Sequence, residues 1–321
     1  MTEPGDLPPS QAKALGLLRE HGPMRGHQGA TDNRLGVINQ ATANALVRRG
    51  LAVREDATAR YAATPPVSPY TLPMVGFDLE TTSSDPESAR IVGASVIVTN
   101  CAPHVREATD WVVNPGVPIE ASATEVHGFT DEYVREHGVT PLSAVVDITE
   151  RLYAAWANGW PVVIYNASFD LTTLDRERRR LGLAPLDVRG LVLDPFILDH
   201  HVIPRRSGPG ARKLRHVVKV WNADNLDAVQ THVAGRDAIA ACRLVYMIGR
   251  RTPALHGLKA RQLMELQATE SRAWRADLRE WFMSQGDTEQ AAGVREEWPI
   301  WPWRGEAKEL ERVQADEGRQ P

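Results

Sequence analysis

The sequence has few cysteines, no long apolar run and no dominant sign of charge. Cys101 and Cys242 are the two cysteines in 321 residues, and they lack the paired spacing of disulfides or zinc sites. No run of about 18 apolar residues is present, so we expect no membrane-spanning helix and no membrane partner. The polar N-terminus has none of the basic and apolar character of a secretory signal. These absences predict a cytoplasmic protein.

Two common catalytic signatures are also missing, the Walker A lysine motif and the His-Glu-x-x-His zinc motif. The net charge is −4, but one basic stretch from Val202 to Val220 has no acid. Its cations are Arg205, Arg206, Arg212, Lys213, Arg215 and Lys219. Such a stretch suits binding to a polyanion backbone, and a solvated basic loop explains it equally well.

Composition divides the chain into three parts, residues 1–66, 67–250 and 251–321. The proline-rich linker Thr64–Pro69 separates the first two parts. In the second part, strand patterns come first and then alternate with helical patterns, which predicts an α/β fold with a mixed sheet. In the third part, a stripe of Leu and Trp from Leu263 to Trp281 predicts a helical strap over the second part, followed by a disordered tail.

The first part resembles a winged helix-turn-helix domain. A short helix over 42–49 ends at Gly50, and the runs 51–56 and 59–64 form a predicted hairpin. In that family the equivalent helix enters the major groove of DNA, which would make Asn44, Arg48 and Arg49 the exposed candidates here. Because winged helices also dock proteins, both duplex DNA and a protein remain candidate partners of this part.

Two carboxylates on one predicted strand are the first chemical signal. Asp78 and Glu80 are two residues apart, so a strand directs both side chains to the same face. Two carboxylates buried together are costly unless a cation joins them, and their hard oxygen atoms suit Mg²⁺ or Mn²⁺. A polar strand end that reaches solvent is the alternative for this pair alone.

Four further residues fall at or near element boundaries. Asn166 follows the apolar strand 161–165 and suits a helix N-cap, which puts Asp170 one turn into the helix and aims it at the strand ends. Stabilisation of the helix dipole is the other explanation of Asp170. His232 and Asp237 are too far apart around a continuous helix to share a site, and they converge only if the helix starts after His232; otherwise they are a surface pair.

Together these segments resemble the three motifs of the DnaQ-like 3′–5′ exonucleases of the DEDDh type. The segments are Phe77–Thr82, Asn166 with Asp170, and His232 with Asp237, and Val126–Thr130 resembles a further His-Gly element of that group. The resemblance covers roughly residues 72–250. It implies an RNase H-like fold, in which a mixed sheet is flanked by helices and the acids gather at one end.

The resemblance also implies a role for each matching residue. Asp78, Glu80, Asp170 and Asp237 would bind two divalent metal ions, Mg²⁺ or Mn²⁺, for phosphodiester cleavage. His232 would be the general base, since the sister group has Tyr at the position occupied here by Val233. The positions that line the terminal nucleotide in the family correspond to Thr81, Val126, His127, Asn166 and Phe169.

The expected function is therefore metal-dependent 3′–5′ exonuclease activity on single-stranded 3′ ends, with DNA favoured and 5′-mononucleotides released. The residues expected to contact substrate phosphates are Arg205, Arg206, Arg212 and Lys213. An RNase of the same fold and a winged-helix regulator with an inactive exonuclease scaffold are the two alternatives. A proofreading role would require a separate DNA polymerase as partner.

Overall fold

The structure, a computed structural model, describes residues 8–21, 24–27, 37–48, 52–55, 60–63, 69–100, 104–206, 208, 210–223, 233–303 and 305. The chain divides into two compact units, Met1–Val67 and Ser68–Pro321. Among the described residues, no helix has the length and apolar character needed to cross a bilayer.

The N-terminal unit contains two helices and a four-stranded sheet among its described residues. Its elements are α1 (Pro9–His21), β1 (Met24–His27), β2 (Val37–Asn39), α2 (Gln40–Arg48), β3 (Ala52–Glu55) and β4 (Arg60–Ala63). The strand order is β2-β1-β4-β3. The predicted hairpin is present as the antiparallel pair β3–β4, and the predicted helix is α2, where Asn39 accepts a hydrogen bond from the Thr42 N–H at 2.9 Å.

Two strands of this unit were not predicted. β1 lies in a glycine-rich stretch, and β2 has three residues, so neither shows the apolar alternation of a longer strand. Among the proposed DNA contacts, Asn44 lies on α2, while Arg49 and the side chain of Arg48 fall outside the described residues. A ligand for this unit therefore stays a prediction.

The second unit is built on the predicted mixed sheet, with strand order β7-β6-β5-β8-β9. β5 (Val75–Thr81), β6 (Ile91–Thr99) and β7 (Val105–Val112) form an antiparallel meander. β8 (Val162–Val163) and β9 (Val192–Leu193) add parallel to β5. The apolar pattern of the sequence predicts this strand only at 110–113. The first half of β7 lies at the edge of the sheet with Arg106 and Glu107 exposed, so it lacks the alternation of buried and exposed residues that indicates a strand.

Ten helices accompany the sheet in the described part of this unit. They are α3 (Ala121–His127), α4 (Asp131–His137), α5 (Pro141–Ala157), α6 (Ala167–Arg180), α7 (Pro195–Val202), α8 (Leu214–Val220), α9 (Val233–Arg251), α10 (Pro253–His256), α11 (Ala260–Ser284) and α12 (Thr288–Gly293). Helices α3 and α4 are separate, because Gly128 ends α3 with φ 80° and Thr130 caps α4.

The central strand β5 separates two packing layers. Val75, Phe77 and Leu79 point into the main apolar core, which they share with residues of α5 and α6. On the opposite face, Gly76 lies against α9: a Cβ atom there would be 2.6 Å from the carbonyl oxygen of Ala238. The missing side chain thus brings α9 into close contact with the strand.

Helix α6 buries four consecutive charged residues, Asp175, Arg176, Glu177 and Arg178. The Arg176 guanidinium donates to Glu87 at 2.7 and 2.9 Å and to Asp175 at 2.5 Å. Glu177 accepts from Arg90 and Arg180. Because a buried charge that loses its partner is strongly destabilising, these pairs fix the position of α6 against the loop before β6.

The C-terminal helix α11 packs on β9 and α7 through a stripe that is more polar than expected. Its buried residues are Leu263, Gln267, Ser271 and Arg275, at four-residue spacing. Trp281, predicted to pack, is 55% exposed. The sequence pattern misses this face because Gln267 is fully buried through hydrogen bonds rather than apolar contact.

Replacement of Gly76 by Ala should destabilise the fold, because the new Cβ atom would overlap the α9 backbone. We expect Gly76→Ala to lower the free energy of unfolding by about 1–3 kcal/mol, measured by urea unfolding monitored by circular dichroism. Gly257→Ala is the matched control, since a Cβ there meets nothing within 4 Å. Equal stability of the two variants would contradict the close α9 contact.

Candidate active site

Asp78 and Glu80 lie on the same face of β5 as Gly76, the face on which α9 packs. In the neighbouring strand they stand opposite Ser95 and Gly93 respectively. Gly93 leaves room for the Phe129 ring, since a Cβ there would be 2.7 Å from Cε2 of that ring. Asp237 is in the first turns of α9, so the close approach of α9 carries this third carboxylate towards the strand.

Asp170 reaches β5 from a different element. β8 pairs with β5 only at Val75 and Gly76, so beyond that point the edge of β5 is open and the first turn of α6 lies beside it. There the backbone N–H of Leu79 donates to Oδ1 of Asp170 at 2.9 Å. On the β8 side of β5 the Leu79 N–H has no strand to pair with, so Asp170 accepts its hydrogen bond instead. The bond fixes the carboxylate next to Asp78.

The four carboxylates interact electrostatically. Burial, followed by repulsion from Asp170, Glu80 and Asp237, raises the pKa of Asp78 well above its usual range. Burial also raises the pKa of Asp170 strongly and that of Asp237, and it raises the pKa of Glu80 to about 7, with Asp237 adding repulsion. Each acid is therefore harder to ionise than it would be in water.

These carboxylates do not close into a compact ligand set by themselves. Within the described residues, no three Asp, Glu, His or Cys side chains converge as a ready metal site. Burial of several hard oxygen ligands with raised pKa values is nevertheless the donor chemistry that fits a divalent cation, whose charge would reverse those shifts.

His232 falls outside the described residues, and so do the other residues of 224–232. Helix α9 is described from Val233 onwards, so the convergence of His232 with Asp237 lies outside what the structure describes. The role of His232 stays a prediction.

A cleft of about 490 Å³ lies beside Glu80 and contains four of the five residues predicted to line the terminal nucleotide. The four are Thr81, Val126, His127 and Phe169, and three serines and Ala123 add to the wall. Val126 is 77% exposed. Its side chain therefore contributes exposed apolar surface to the wall of the cleft.

His127 is held by hydrogen bonds within the protein. Its Nδ1 accepts from the backbone N–H of Phe129 at 3.0 Å, so Nε2 carries the proton and donates to the Thr81 carbonyl oxygen at 3.2 Å. Burial lowers its pKa, which favours this neutral form. The polar atoms of His127 therefore tie α3 to the end of β5, and only the ring surface is left to line the cleft.

Asn166, the fifth predicted residue, does not line either cleft described here. It occupies the N-cap position of α6 with φ 65°, but its side chain makes no cap bond. The capping group is Asp194, whose two carboxylate oxygens accept from the N–H groups of Asn166 and Ala167 at 2.9 Å each. Sequence reasoning missed Asp194, although an Asp between an apolar strand and a Pro is a typical helix start.

The predicted phosphate contacts separate into two groups. Arg206 and Arg212 both donate to the buried carboxylate of Asp199, at 2.5 and 2.7 Å, so their charges are used inside the fold. Contact of these two arginines with substrate phosphates stays a prediction. Arg205 and Lys213 are exposed.

Lys213 lines a second cleft of about 700 Å³, between α3, α8 and α9. Its other cations are Arg215, Lys219 and Arg236, and none of the four forms a salt bridge with a described residue. Asp237 and Val126 also line this cleft. Val126 thus borders both clefts, with Glu80 in the wall of the first and Asp237 in the wall of the second. Arg236 was not predicted, since it stands outside the basic stretch.

Comparison with known proteins places this geometry in a family. The RNase_T model, described as an exonuclease, matches residues 75–245. A DNA polymerase III subunit epsilon-like protein of Rhodobacter capsulatus is 30% identical over 60% of this chain and 25% of its own length. A PolC-type DNA polymerase III of Streptococcus pyogenes is 27% identical over 58% of this chain and 12% of its own length. The chain spans a quarter or less of these curated relatives.

Solved exonucleases are also similar to this chain. E. coli exonuclease I in complex with a dT13 oligonucleotide has a TM-score of 0.46 and 18% identity over 57% of this chain and 42% of that chain. Exonuclease X in complex with 5′ overhanging duplex DNA has a TM-score of 0.43 and 17% identity over 60% of this chain and 99% of that chain. Because the family model covers more than half of the sequence and includes Asp78, Glu80, Asp170 and Asp237, the chain belongs to the RNase_T exonuclease family, a group of DnaQ-like nucleases.

Proposed function

We propose that this nuclease is a metal-dependent 3′–5′ exonuclease that removes nucleotides singly from single-stranded 3′ ends, preferentially of DNA, and releases 5′-mononucleotides. The observation that carries the proposal is the proximity of four carboxylates around β5, with pKa values raised by burial and, for Asp78, Glu80 and Asp170, also by neighbouring carboxylates. A scaffold without catalysis has no use for such a costly cluster.

Asp78, Glu80, Asp170 and Asp237 are the proposed ligands of two divalent ions, Mg²⁺ or Mn²⁺. Such a pair, when bound, activates a water molecule and stabilises the attacking and leaving oxygens of a phosphodiester. The protein contributes the positions of the oxygens: the Leu79 N–H holds Oδ1 of Asp170, and the glycine contact at Gly76 holds α9 and Asp237 near the strand.

His232 is the proposed general base, which takes the proton of the attacking water on a ring nitrogen. An imidazole with an ordinary pKa near ~6.5 is a suitable acceptor at neutral pH. The resemblance of the His232–Asp237 segment to the third exonuclease motif supports this role, and the family match includes both residues.

The proposed path of the strand follows the two clefts. The terminal nucleotide would occupy the cleft of Thr81, Val126 and Phe169, next to Glu80. The preceding phosphates would contact the cations Lys213, Arg215, Lys219 and Arg236 beside Asp237. Cations along a groove are the common means of holding a single strand, and the scissile bond would then lie between the clefts, at the acids.

The name of the Rhodobacter relative supports a proofreading or repair role with a separate DNA polymerase as partner. Duplex DNA or a protein is the proposed ligand of the N-terminal unit. RNA as substrate is an outcome of the assay below.

Asp78→Asn and Asp170→Asn should each abolish cleavage, because both remove an anionic oxygen ligand at nearly constant side-chain volume. We expect turnover to fall by at least about 10³-fold. The measurement is a gel assay on 5′-labelled single-stranded DNA and RNA of matched sequence, with Mg²⁺, Mn²⁺ or EDTA. Wild-type protein should give a metal-dependent ladder on the 5′-labelled strand.

The control is Asp187→Asn, which changes an exposed carboxylate that pairs with Arg189 and should retain full activity. A faster RNA ladder would replace DNA by RNA in the proposal. Activity of both acid variants would exclude the assigned site, and no cleavage by wild type with retained duplex binding would favour the regulator.

Removal of the cations should weaken strand binding in a salt-dependent way. For Lys213→Gln/Lys219→Gln we expect a higher KM at unchanged kcat. For every phosphate that the variant no longer neutralises, the plot of log(1/KM) against log salt concentration should flatten by about 0.7. Arg261→Gln, which removes an 89% exposed cation on α11, is the control. A slope equal to that of wild type would contradict phosphate contact at this cleft.

The raised pKa of Glu80 predicts that its charge destabilises the metal-free protein. Between its ordinary pKa of 4.5 and its folded value of about 7, the folded state binds more protons than the unfolded state, so stability falls as pH rises. In EDTA at pH 8, Glu80→Gln should therefore melt higher than wild type, by about 2–4 °C for each kcal/mol relieved. The difference should disappear below pH 4.5.

Differential scanning fluorimetry at both pH values tests this effect, and the exposed Glu280 provides the control variant Glu280→Gln. At pH 8, Mg²⁺ should raise the Tm of wild type more than that of Glu80→Gln. A lower Tm for Glu80→Gln than for wild type in EDTA would show that the carboxylate is not under repulsion.

A further inference from the structure

The N-terminal turn of α6, which carries Asp170, is held by a carboxylate from another element. Asp194 accepts from two successive N–H groups, those of Asn166 and Ala167. Since Asn166 is in the left-handed region, its N–H and the next point to one side and form an anion-binding nest. Asp170 follows three residues after Ala167, so a shift of the cap moves this carboxylate as well.

Asp194 is in turn held by residues that follow the family match. Its own N–H donates to Oε1 of Gln267 at 2.7 Å, while the Gln267 amide donates to the carbonyl oxygen of Val192 at 2.9 Å. The indole N–H of Trp298 donates to Oδ2 of Asp194 at 3.3 Å. Gln267 is fully buried and Asp194 is 1% exposed, so water cannot replace these donors and acceptors.

The same C-terminal segment also contacts α6 directly. The backbone N–H of Trp301 donates to Oγ1 of Thr172 at 3.0 Å, and the Arg176 guanidinium donates to the carbonyl oxygens of Trp301 and Pro302 at 2.9 Å each. Arg275 of α11 reaches the hydroxyl of Ser168 at 3.4 Å. Helix α6 is thereby fixed at its cap and along its first turns by residues 267–302.

Asp170 needs such support because its surroundings repel it. Burial, and then the charges of Glu80 and Asp194, raise its pKa, and Asp170 in turn repels Asp78. The bond from Leu79 opposes this repulsion on the strand side. A displacement of about 1 Å at a catalytic group is enough to lower a rate about 10²-fold.

We infer that Gln267 and Trp298 are positioning residues for the nuclease: through Asp194 they hold the first turn of α6 so that Asp170 can bind metal beside Asp78. This inference rests on the proposed function. The C-terminal segment would then be part of the catalytic apparatus, although it lies beyond residue 245, where the family match ends.

The test compares two substitutions that each remove one buried indole N–H. Trp298→Phe removes the donor to Asp194; Trp156→Phe removes a donor to the Leu191 carbonyl oxygen in the main core. Calorimetric titration of full-length protein with Mn²⁺ in the absence of nucleic acid should give a Kd about 10–100-fold higher for Trp298→Phe than for Trp156→Phe. kcat should fall in proportion at unchanged KM for DNA, with the two Tm values alike.

Gln267→Met keeps the side-chain volume but removes the bonds to Asp194 and Val192, so it should reproduce the effect of Trp298→Phe. It replaces Trp298→Phe in the test if that variant folds poorly. Equal Mn²⁺ affinity of Trp298→Phe, Gln267→Met and Trp156→Phe would overturn the inference. Asp170→Asn in the same titration separates the two proposals. If Asp170→Asn does not bind Mn²⁺ and Trp298→Phe has no effect, only the positioning role is excluded. If Asp170→Asn binds Mn²⁺ as tightly as wild type does, the proposed metal site itself is excluded.

Discussion

The partial loss of hydration around four neighbouring carboxylates is the constraint on which the architecture of the second unit depends. The pKa values of Asp78, Glu80, Asp170 and Asp237 are all raised, which means that the fold keeps these groups together at an energetic cost. That cost is met by packing elsewhere: β5 is central in the sheet, α9 is in close contact with Gly76, and α6 is bound at its cap. A strained functional cluster inside a well-packed frame is a common arrangement for enzymes.

Charge is distributed around this cluster in a simple pattern. Glu80 lines a cleft with serines and apolar side chains, and Asp237 lines a cleft with four cations. An anionic strand is attracted by the cations and repelled by the acids unless divalent ions neutralise them. Metal and nucleic acid should therefore bind with positive coupling. Arg206 and Arg212 do not add to the attraction, because both are already paired with Asp199.

The sequence predicts the parts of the site that follow from local geometry. Asp78 and Glu80 share a face because strands have period two, and Asp170 and Asp237 fall at the starts of helices. The contacts that depend on a partner elsewhere in the chain are not predicted. Nothing in the basic stretch indicates that Arg206 and Arg212 both pair with Asp199. Nothing around Gln267 indicates that it bonds to Asp194 and Val192. The first half of the edge strand β7 is not predicted either, because it has no buried face and therefore no alternating apolar pattern.

The hydrogen bond between Leu79 and Asp170 joins residues 91 positions apart, and the bond between Asp194 and Trp298 joins residues 104 apart. Contacts of such long range form late in folding, because large loops must close first. Chains also emerge from the ribosome from the N-terminus onwards. It follows from the positioning role that a nascent chain has every acid of the site long before it has Trp298, so the nuclease would reach its active form only after that C-terminal segment has been synthesised.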